Sequence, residues 1–217
     1  MRFDRDRLLE AFDEIGAAAL ANGEKLELAV YGGSALMLAG NFRFATEDVD
    51  VQDATTNQPD WLRAEIAAIA NRNGWSDDWL NDAVAVHLSP LASRSADHIE
   101  FGSFPRGAGP YGLDVLVPTA EYMLALKLKA MRVLDPVKGR QEAADILNLM
   151  RVAGVVSPQN ALELLRRYFP QSAASPEKHL FLLKRLQTLA EPADAPSYPV
   201  RSGAAHPKRD ADRNGLG

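Results

Sequence analysis

The chain has 217 residues, 47% hydrophobic and 24% charged, enough apolar material for one or two compact units. Lys and Arg number 24 against 29 Asp and Glu, and the net charge of −5 argues against coating nucleic acid or anionic membrane by bulk charge, though a local basic groove stays open. With no cysteine there is no disulfide framework, thiolate zinc site or cysteine nucleophile. No apolar run reaches the ~18 residues of a membrane helix and the N-terminus lacks a signal-peptide apolar region, so a cytoplasmic protein with no membrane contact is expected.

In chain order, residues 3–22 read as an amphipathic helix, with Leu8, Leu9, Phe12, Ile15, Ala19 and Leu20 at helical steps and Asn22-Gly23 as the stop. Leu26 to Tyr31 reads as a buried strand that ends at Gly32-Gly33, and Ser34 to Ala39 as a short helix. Residues 47–52 alternate in strand period, 60–71 form a second amphipathic helix, and 83–88, 98–104 and 111–117 read as further strands. After Pro118 the pattern is helical: 119–134, 140–153, 158–169 and 176–190, the last two each opening on Ser-Pro as N-cap and first helical position. Residues 191–217 are poor in apolar side chains and carry Pro192, Pro196, Pro199 and Pro207, the composition of a disordered tail. The expectation is an α+β chain: a mixed-sheet unit over 1–117, a helical unit over 118–190 and a tail over 191–217.

Two stretches carry candidate chemistry. In Gly32-Gly33-Ser34 a buried strand runs through two glycines into a helix; the glycines permit close backbone approach, Ser34 is placed to cap, and free N–H groups at that end attract phosphate. Taken alone this is also how a plain tight turn looks. In Thr46-Glu47-Asp48-Val49-Asp50 the two aspartates stand at i and i+2, on one face of a strand with Cα atoms ~6.5–7 Å apart. Paired carboxylates repel unless a cation lies between them, and oxygen ligands suit Mg²⁺. A polar stripe on an edge strand is the plainer alternative.

Together the two stretches, VYGGSALMLAGNFRFATEDVDV over residues 30–51, resemble the nucleotidyltransferase fold of the polymerase-β superfamily, and most of all its small prokaryotic members related to abortive-infection and type IV toxin–antitoxin nucleotidyltransferases. The resemblance covers residues 26–150. It implies that Gly32, Gly33 and Ser34 hold a triphosphate, that Asp48 and Asp50 hold Mg²⁺, and that a third metal carboxylate stands on a later strand. Asp114, among apolar neighbours in YGLDVLV, is the better match for that third ligand, and Glu100 the alternative.

In TAEYMLALKLKAMRVL, residues 119–134, Lys127 stands mid-way along an apolar stripe with Met123, Ala130 and Met131, while Lys129 and Arg132 lie opposite. A lysine so placed reaches a nucleotide phosphate, snorkels, or joins a buried ion pair. The resemblance assigns it the phosphate, and extends to Glu142 and Asp145, with Asp145 in nucleotide binding; the helical wheel sets Asp145 off the apolar centre, as a solvated acid would be.

Other signals lead elsewhere. Gly107 to Gly112 matches a dinucleotide fingerprint, but it opens a strand and contains Pro110, so it reads as a loop. The four histidines lack metal-ligand spacing, and Trp61, Trp75 and Trp79 read as core anchors, with base stacking as the sharper option. Arg43, Arg106, Arg132, Lys138 and Arg140 form an RNA groove or, as dispersed positives usually do, a solvated surface.

The resemblance implies a Mg²⁺-dependent nucleotidyltransferase that moves NMP from an NTP to an RNA 3′ end, a protein hydroxyl or a small molecule, with an antitoxin-like protein as a further partner. The alternatives are a catalytically inactive nucleotide-binding or protein-interaction module of the same fold, and a structural protein whose aspartates form a polar edge. The discriminating feature is a third carboxylate facing Asp48 and Asp50.

Overall fold

The computed structural model describes residues 2–53 and 59–199. A short strand, β1 (Phe3–Asp4), leads into α1 (Arg5–Ala21), whose N-terminus is capped by the Asp4 carboxylate accepting from the Arg7 N–H at 3.0 Å. Then come β2 (Leu26–Val30), α2 (Gly32–Ala39), β3 (Ala45–Thr46), β4 (Val49–Asp53) and α3 (Asp60–Asn73). A two-residue strand, β5 (Leu80–Asn81), a single helical turn, α4 (Arg94–Asp97), and the long strands β6 (His98–Phe104) and β7 (Leu113–Pro118) complete the sheet region. Four helices follow: α5 (Ala120–Ala130), α6 (Gly139–Val152), α7 (Pro158–Tyr168) and α8 (Pro176–Leu189).

The architecture is α+β. The main sheet has the order β5-β4-β2-β7-β6, with β2 parallel to β7, β4 parallel to β5, and the β2–β4 and β6–β7 pairs antiparallel; β1 and β3 form a separate antiparallel pair. Because side chains alternate across a sheet, register assigns the faces. Leu26, Leu28, Val30, Val49, Val51, Leu113, Val115 and Val117 share one face, all buried. The other face carries Glu27, Ala29, Asp50, Gln52, Asp114 and Leu116. One cluster of buried apolar residues runs from Phe3 through the strands to the C-terminal helices and Tyr198. Trp75 and Trp79 belong to it, Trp75 stacked on Phe3 at 4.4 Å between ring centroids, so these two indoles anchor the core.

Several local expectations are corrected. Residues 83–88 are not a strand: Ala85–His87 form a 3₁₀ turn whose N–H groups bond back to Asp82 and Val84, and Val86 is 83% exposed. Apolar alternation there has no neighbouring strand to pair with, because β5 has already taken the edge beside β4. The helix expected over 119–134 stops at Ala130, where Met131 turns left-handed at φ 34° and closes on the Lys127 carbonyl.

The tail expected from residue 191 is ordered as far as 199. Ala193 N–H donates to Asn148 Oδ1 at 2.7 Å, Asn41 brackets the segment through Ala195 O (2.9 Å) and Ser197 N–H (2.8 Å), and the buried Tyr198 donates its hydroxyl to Pro118 O at 2.9 Å. Tyr198 also stacks on Phe42. One buried aromatic and hydrogen bonds between the segment's backbone and Asn148, Asn41 and Arg151 offset the low apolar content that suggested disorder. The remainder of the tail, 200–217, lies outside the described residues.

Candidate functional site

The strand-to-helix turn is built on glycine for a steric reason. Gly32 has φ +64°, the left-handed region that side chains disfavour, and a Cβ there would stand 2.5 Å from Asp50 Oδ2. A Cβ on Gly33 would stand 3.1 Å from Arg43 Nη1 and 3.2 Å from Thr46 Oγ1. The turn is thus a bare backbone surface between a carboxylate and a guanidinium. Ser34 does not cap the helix, which starts at Gly32 with Tyr31 at the cap position and no side-chain cap. Its hydroxyl instead donates to the Asp48 carbonyl at 2.8 Å, joined there by Thr46 Oγ1 at 3.0 Å, and these two bonds fix the corner between β3 and β4.

Asp48 sits in that corner, one residue before β4, with its side chain exposed; Asp50 lies in β4, half-buried, and its carbonyl accepts from the Tyr31 N–H at 2.8 Å. Burial pushes the Asp50 carboxyl above its ordinary value, and the neighbouring Asp48 charge adds to this, with Lys127, Arg132 and His87 pulling the other way. Among the described residues no side chain makes an ion pair or hydrogen bond to either carboxylate. The pair is therefore a concentration of negative charge beside the N-terminus of α2.

Behind it lies a buried ion cluster. Arg43 Nε and Nη2 donate to Asp145 Oδ1 (3.2 Å) and Oδ2 (2.5 Å), and Nη2 lies 3.6 Å from Glu142 Oε1. Lys127 Nζ donates to both Glu142 oxygens and to Asp145 Oδ2, all at 3.0 Å. Two cations and two anions balance, as burial demands. Burial draws the Arg43 guanidinium down, but Asp145, with Glu142 and Asp48 behind it, more than offsets this and holds it charged. Asp145 is not a solvated acid: its side chain is 2% exposed. Nor do its bonds suit a group that touches nucleotide, since both oxygens are taken by Arg43 and Lys127. It positions those cations.

Asp114 does not join the site. It pairs with Glu27 at the far end of β2, whereas Asp50 bonds to Tyr31 beyond the near end. Four residues along and two strands across separate the two aspartates by roughly 16 Å. Lys25 Nζ and Ser103 Oγ hold Asp114, each at 2.7 Å. Burial raises its carboxyl, but those two partners outweigh it and the net shift is downward. Glu100, exposed on β6, is three strands from β4 and does not replace it. Register brings the end of β7 at Pro118 level with Asp50, and Val117 and Pro118 offer no carboxylate. Among the described residues no group of three His, Cys, Asp or Glu side chains is arranged to hold a metal ion.

The structure thus brings Gly32, Gly33, Ser34, Asp48, Asp50, Lys127 and Asp145 to one place and leaves Asp114 out. It adds Arg43 and Thr46. Arg43 reads in sequence as one of several scattered positives; the signal that sets it apart is its place between Phe42 and Phe44, five residues before Asp48. Of the five positives, Arg43 is enclosed in the ion cluster and Arg106 is bound to Asp13 of α1.

No family model, no curated protein and no solved structure matches this chain. No helix among the described residues is long and apolar enough to cross a membrane.

Proposed function

We propose that the chain is a Mg²⁺-dependent nucleotidyltransferase that takes its metal as a Mg²⁺–NTP complex. The observation that carries this reading is the placement of two neighbouring carboxylates, one half-buried and neither paired with a described cation, at a glycine turn that opens a helix. Mg²⁺ is commonly held by one or two carboxylates with substrate phosphates and waters filling its other positions. Asp48 and Asp50 fit that role, and among the described residues no third carboxylate is arranged with them to hold a metal ion, which argues against a protein-built two-metal site. When bound, the ion would neutralise charge on the triphosphate and on the departing pyrophosphate.

The chain's own residues orient the reaction. Gly32 and Gly33 let the triphosphate approach the first N–H groups of α2, where the helix dipole favours anions. Arg43 and Lys127 stand beside that turn, held in place by Asp145 and Glu142. In the reaction an acceptor oxygen bonds to the α-phosphorus, the bond to the bridging oxygen of the β-phosphate breaks, and pyrophosphate leaves.

A second reading is favoured because no third carboxylate among the described residues is arranged with Asp48 and Asp50 to hold a metal ion: a module that binds Mg²⁺–NTP without turning it over. Both readings require that NTP with Mg²⁺ raise the melting temperature, because a ligand bound only to the folded state stabilises it, by about 2.7 kcal/mol at ~100 times Kd. They part on label transfer from α-labelled NTP to RNA, protein or small molecules in a cell extract. Transfer supports the enzyme, binding without transfer the module, and no stabilisation by any NTP refutes both.

A further inference from the structure

The sheet face that carries Asp50 continues into a cavity of about 210 Å³. Gln52, two residues along β4 on the same face, lines it and lies ~6.5–7 Å from Asp50 between Cα atoms. Tyr31, whose N–H bonds the Asp50 carbonyl, lines it as well, with Ser89, Arg94, His98 and Tyr122. Nucleotide binding at the glycine turn does not use this space.

The lining combines flat aromatic walls with adaptable polar groups. The Tyr31 hydroxyl lies 3.0 Å from Gln52 Oε1 and 2.8 Å from His98 Nε2, while His98 Nδ1 is 3.3 Å from the Ser93 carbonyl. Two proton arrangements satisfy these contacts. With His98 neutral, Nδ1–H donates to Ser93 O, the Tyr31 O–H donates to Nε2, and the Gln52 amide turns its NH₂ toward the Tyr31 oxygen. With His98 charged, Nε2–H donates to Tyr31, and the Tyr31 proton goes to Gln52 Oε1. The network accepts a proton by turning one amide. Burial lowers the His98 pKa; Arg94 lowers it too, while the Ser93 carbonyl and Asp97 raise it, and the net shift is downward, so the neutral form is the resting one. Tyr31 from the end of β2, Tyr122 from α5 and Gln52 from β4 are the other groups around the ring.

We propose that this cavity holds the reacting group of the acceptor, a single ring bearing a hydroxyl, and that the hydroxyl proton passes through Tyr31 to His98. This rests on the nucleotidyltransferase reading. The size sets the ligand class: drug-sized sites run to roughly 300–1,000 Å³, so this one takes a single ring. The Tyr31 and Tyr122 rings supply its flat walls. Position sets the role: the Tyr31 hydroxyl that meets His98 Nε2 also meets Gln52, two residues along β4 from Asp50, so the proton route starts on the strand that carries the carboxylate. The acceptor oxygen bonds to the α-phosphorus as pyrophosphate leaves, its proton moves to the Tyr31 oxygen while the Tyr31 proton moves to His98 Nε2, and the imidazolium returns its proton to solvent afterwards.

The test uses two ring hydroxyls from different sources, tyramine and methyl β-D-ribofuranoside, titrated against the full chain while the His98 ring is followed by NMR. One probe is expected to saturate and shift the His98 signals, and to bind at least tenfold more weakly to Ala92→Phe, which narrows the cavity, or to Gln52→Leu if that variant does not fold. Mg²⁺–ATP should stabilise wild type and Ala92→Phe equally. AMP transfer from α-labelled ATP to the bound probe should fall about 100-fold in His98→Gln, as loss of a general base does, with probe affinity changed far less. Binding of neither probe, or undiminished binding by both variants, overturns the pocket. Full transfer in His98→Gln overturns the proton route. No stabilisation of wild type by any Mg²⁺–NTP overturns the nucleotidyltransferase reading and the proton route with it, whatever the probes do.

Discussion

Arg43 grips both carboxylate oxygens of Asp145 across 102 residues of chain, at 3.2 and 2.5 Å, with neither side chain more than 13% exposed. This fork joins the loop that follows the glycine turn to the middle of α6, and it ties the site to the helical half of the molecule.

Removing the anion should be costly. Asp145→Ala leaves Arg43 and Lys127 buried with Glu142 alone, and a broken buried pair costs about 3–5 kcal/mol. Urea unfolding should show that loss. The double variant Arg43→Met with Asp145→Leu should recover most of it, because no lone charge remains. Equal losses in the single and double variants would show that the fork contributes through packing rather than charge.

Lys127→Met probes the same cluster from the other side. The apolar stripe of α5 taken alone suggests that methionine fits there at little cost. The structure reverses that expectation, since the substitution leaves Glu142 and Asp145 to share one guanidinium. A loss of about 3 kcal/mol is expected, partly restored by adding Glu142→Gln. The Lys129 ammonium donates to the His87 carbonyl and lies over the Phe169 ring, and Lys129→Met should cost about 1 kcal/mol or less, with urea unfolding of both variants as the measurement.

Asp50→Asn should stabilise the protein in the absence of Mg²⁺. The folded-state pKa of Asp50 is raised above its ordinary 3.8, so the folded state holds the proton more tightly than the unfolded one. Stability is then greatest below the ordinary carboxylate pKa and falls as pH rises through the raised value. The gain from Asp50→Asn should be full at pH 7 and vanish below about pH 4. Melting temperatures of the two proteins across that range, with EDTA present, decide it; a gain that persists at low pH would place its origin outside this ionisation.

Gly32→Ala and Gly33→Ala separate backbone strain from crowding. Gly32→Ala meets a left-handed φ, worth about 1–2 kcal/mol, and a carboxylate oxygen at 2.5 Å. Gly33→Ala meets only side-chain ends, at 3.1 and 3.2 Å, which must give by a few tenths of an ångström against the Arg43–Asp145 fork and the Thr46 bond to the Asp48 carbonyl. The first should lose stability and Mg²⁺–NTP binding together. The second should stay within about 1 kcal/mol of wild type, and its binding should weaken only as far as Arg43 is displaced. Equal losses of stability in the two would contradict the strain argument.

What the sequence made legible was local. Glycine, hydroxyl and aspartate spacings within residues 30–51 place the turn and the carboxylates because short-range geometry determines them. The location of Asp114 depends on the register between β2 and β7, whose paired residues lie more than 80 positions apart, and no local pattern reports that. Lys127 stood out on its helix, but its partners come from α6. Residues 83–88 carry apolar spacing without the neighbour that would make them a strand. Tyr198 lies in the stretch whose composition reads as a disordered tail, and its surroundings, Phe42 and Pro118, come from distant parts of the chain.

The bracket between Asn41 and the segment 195–197 spans more than 150 residues. Asn41 lies two residues before Arg43, so the loop that delivers the guanidinium to the glycine turn is clamped by some of the last described residues to be synthesised. On the ribosome the carboxylates, the turn and the ion-pairing helices all emerge before the clamp exists. The geometry of the turn and its ion cluster is therefore fastened only after residues 195–197 have been made, and a chain halted before residue 195 would hold Asp48, Asp50, Arg43 and Lys127 with the arginine loop unfastened.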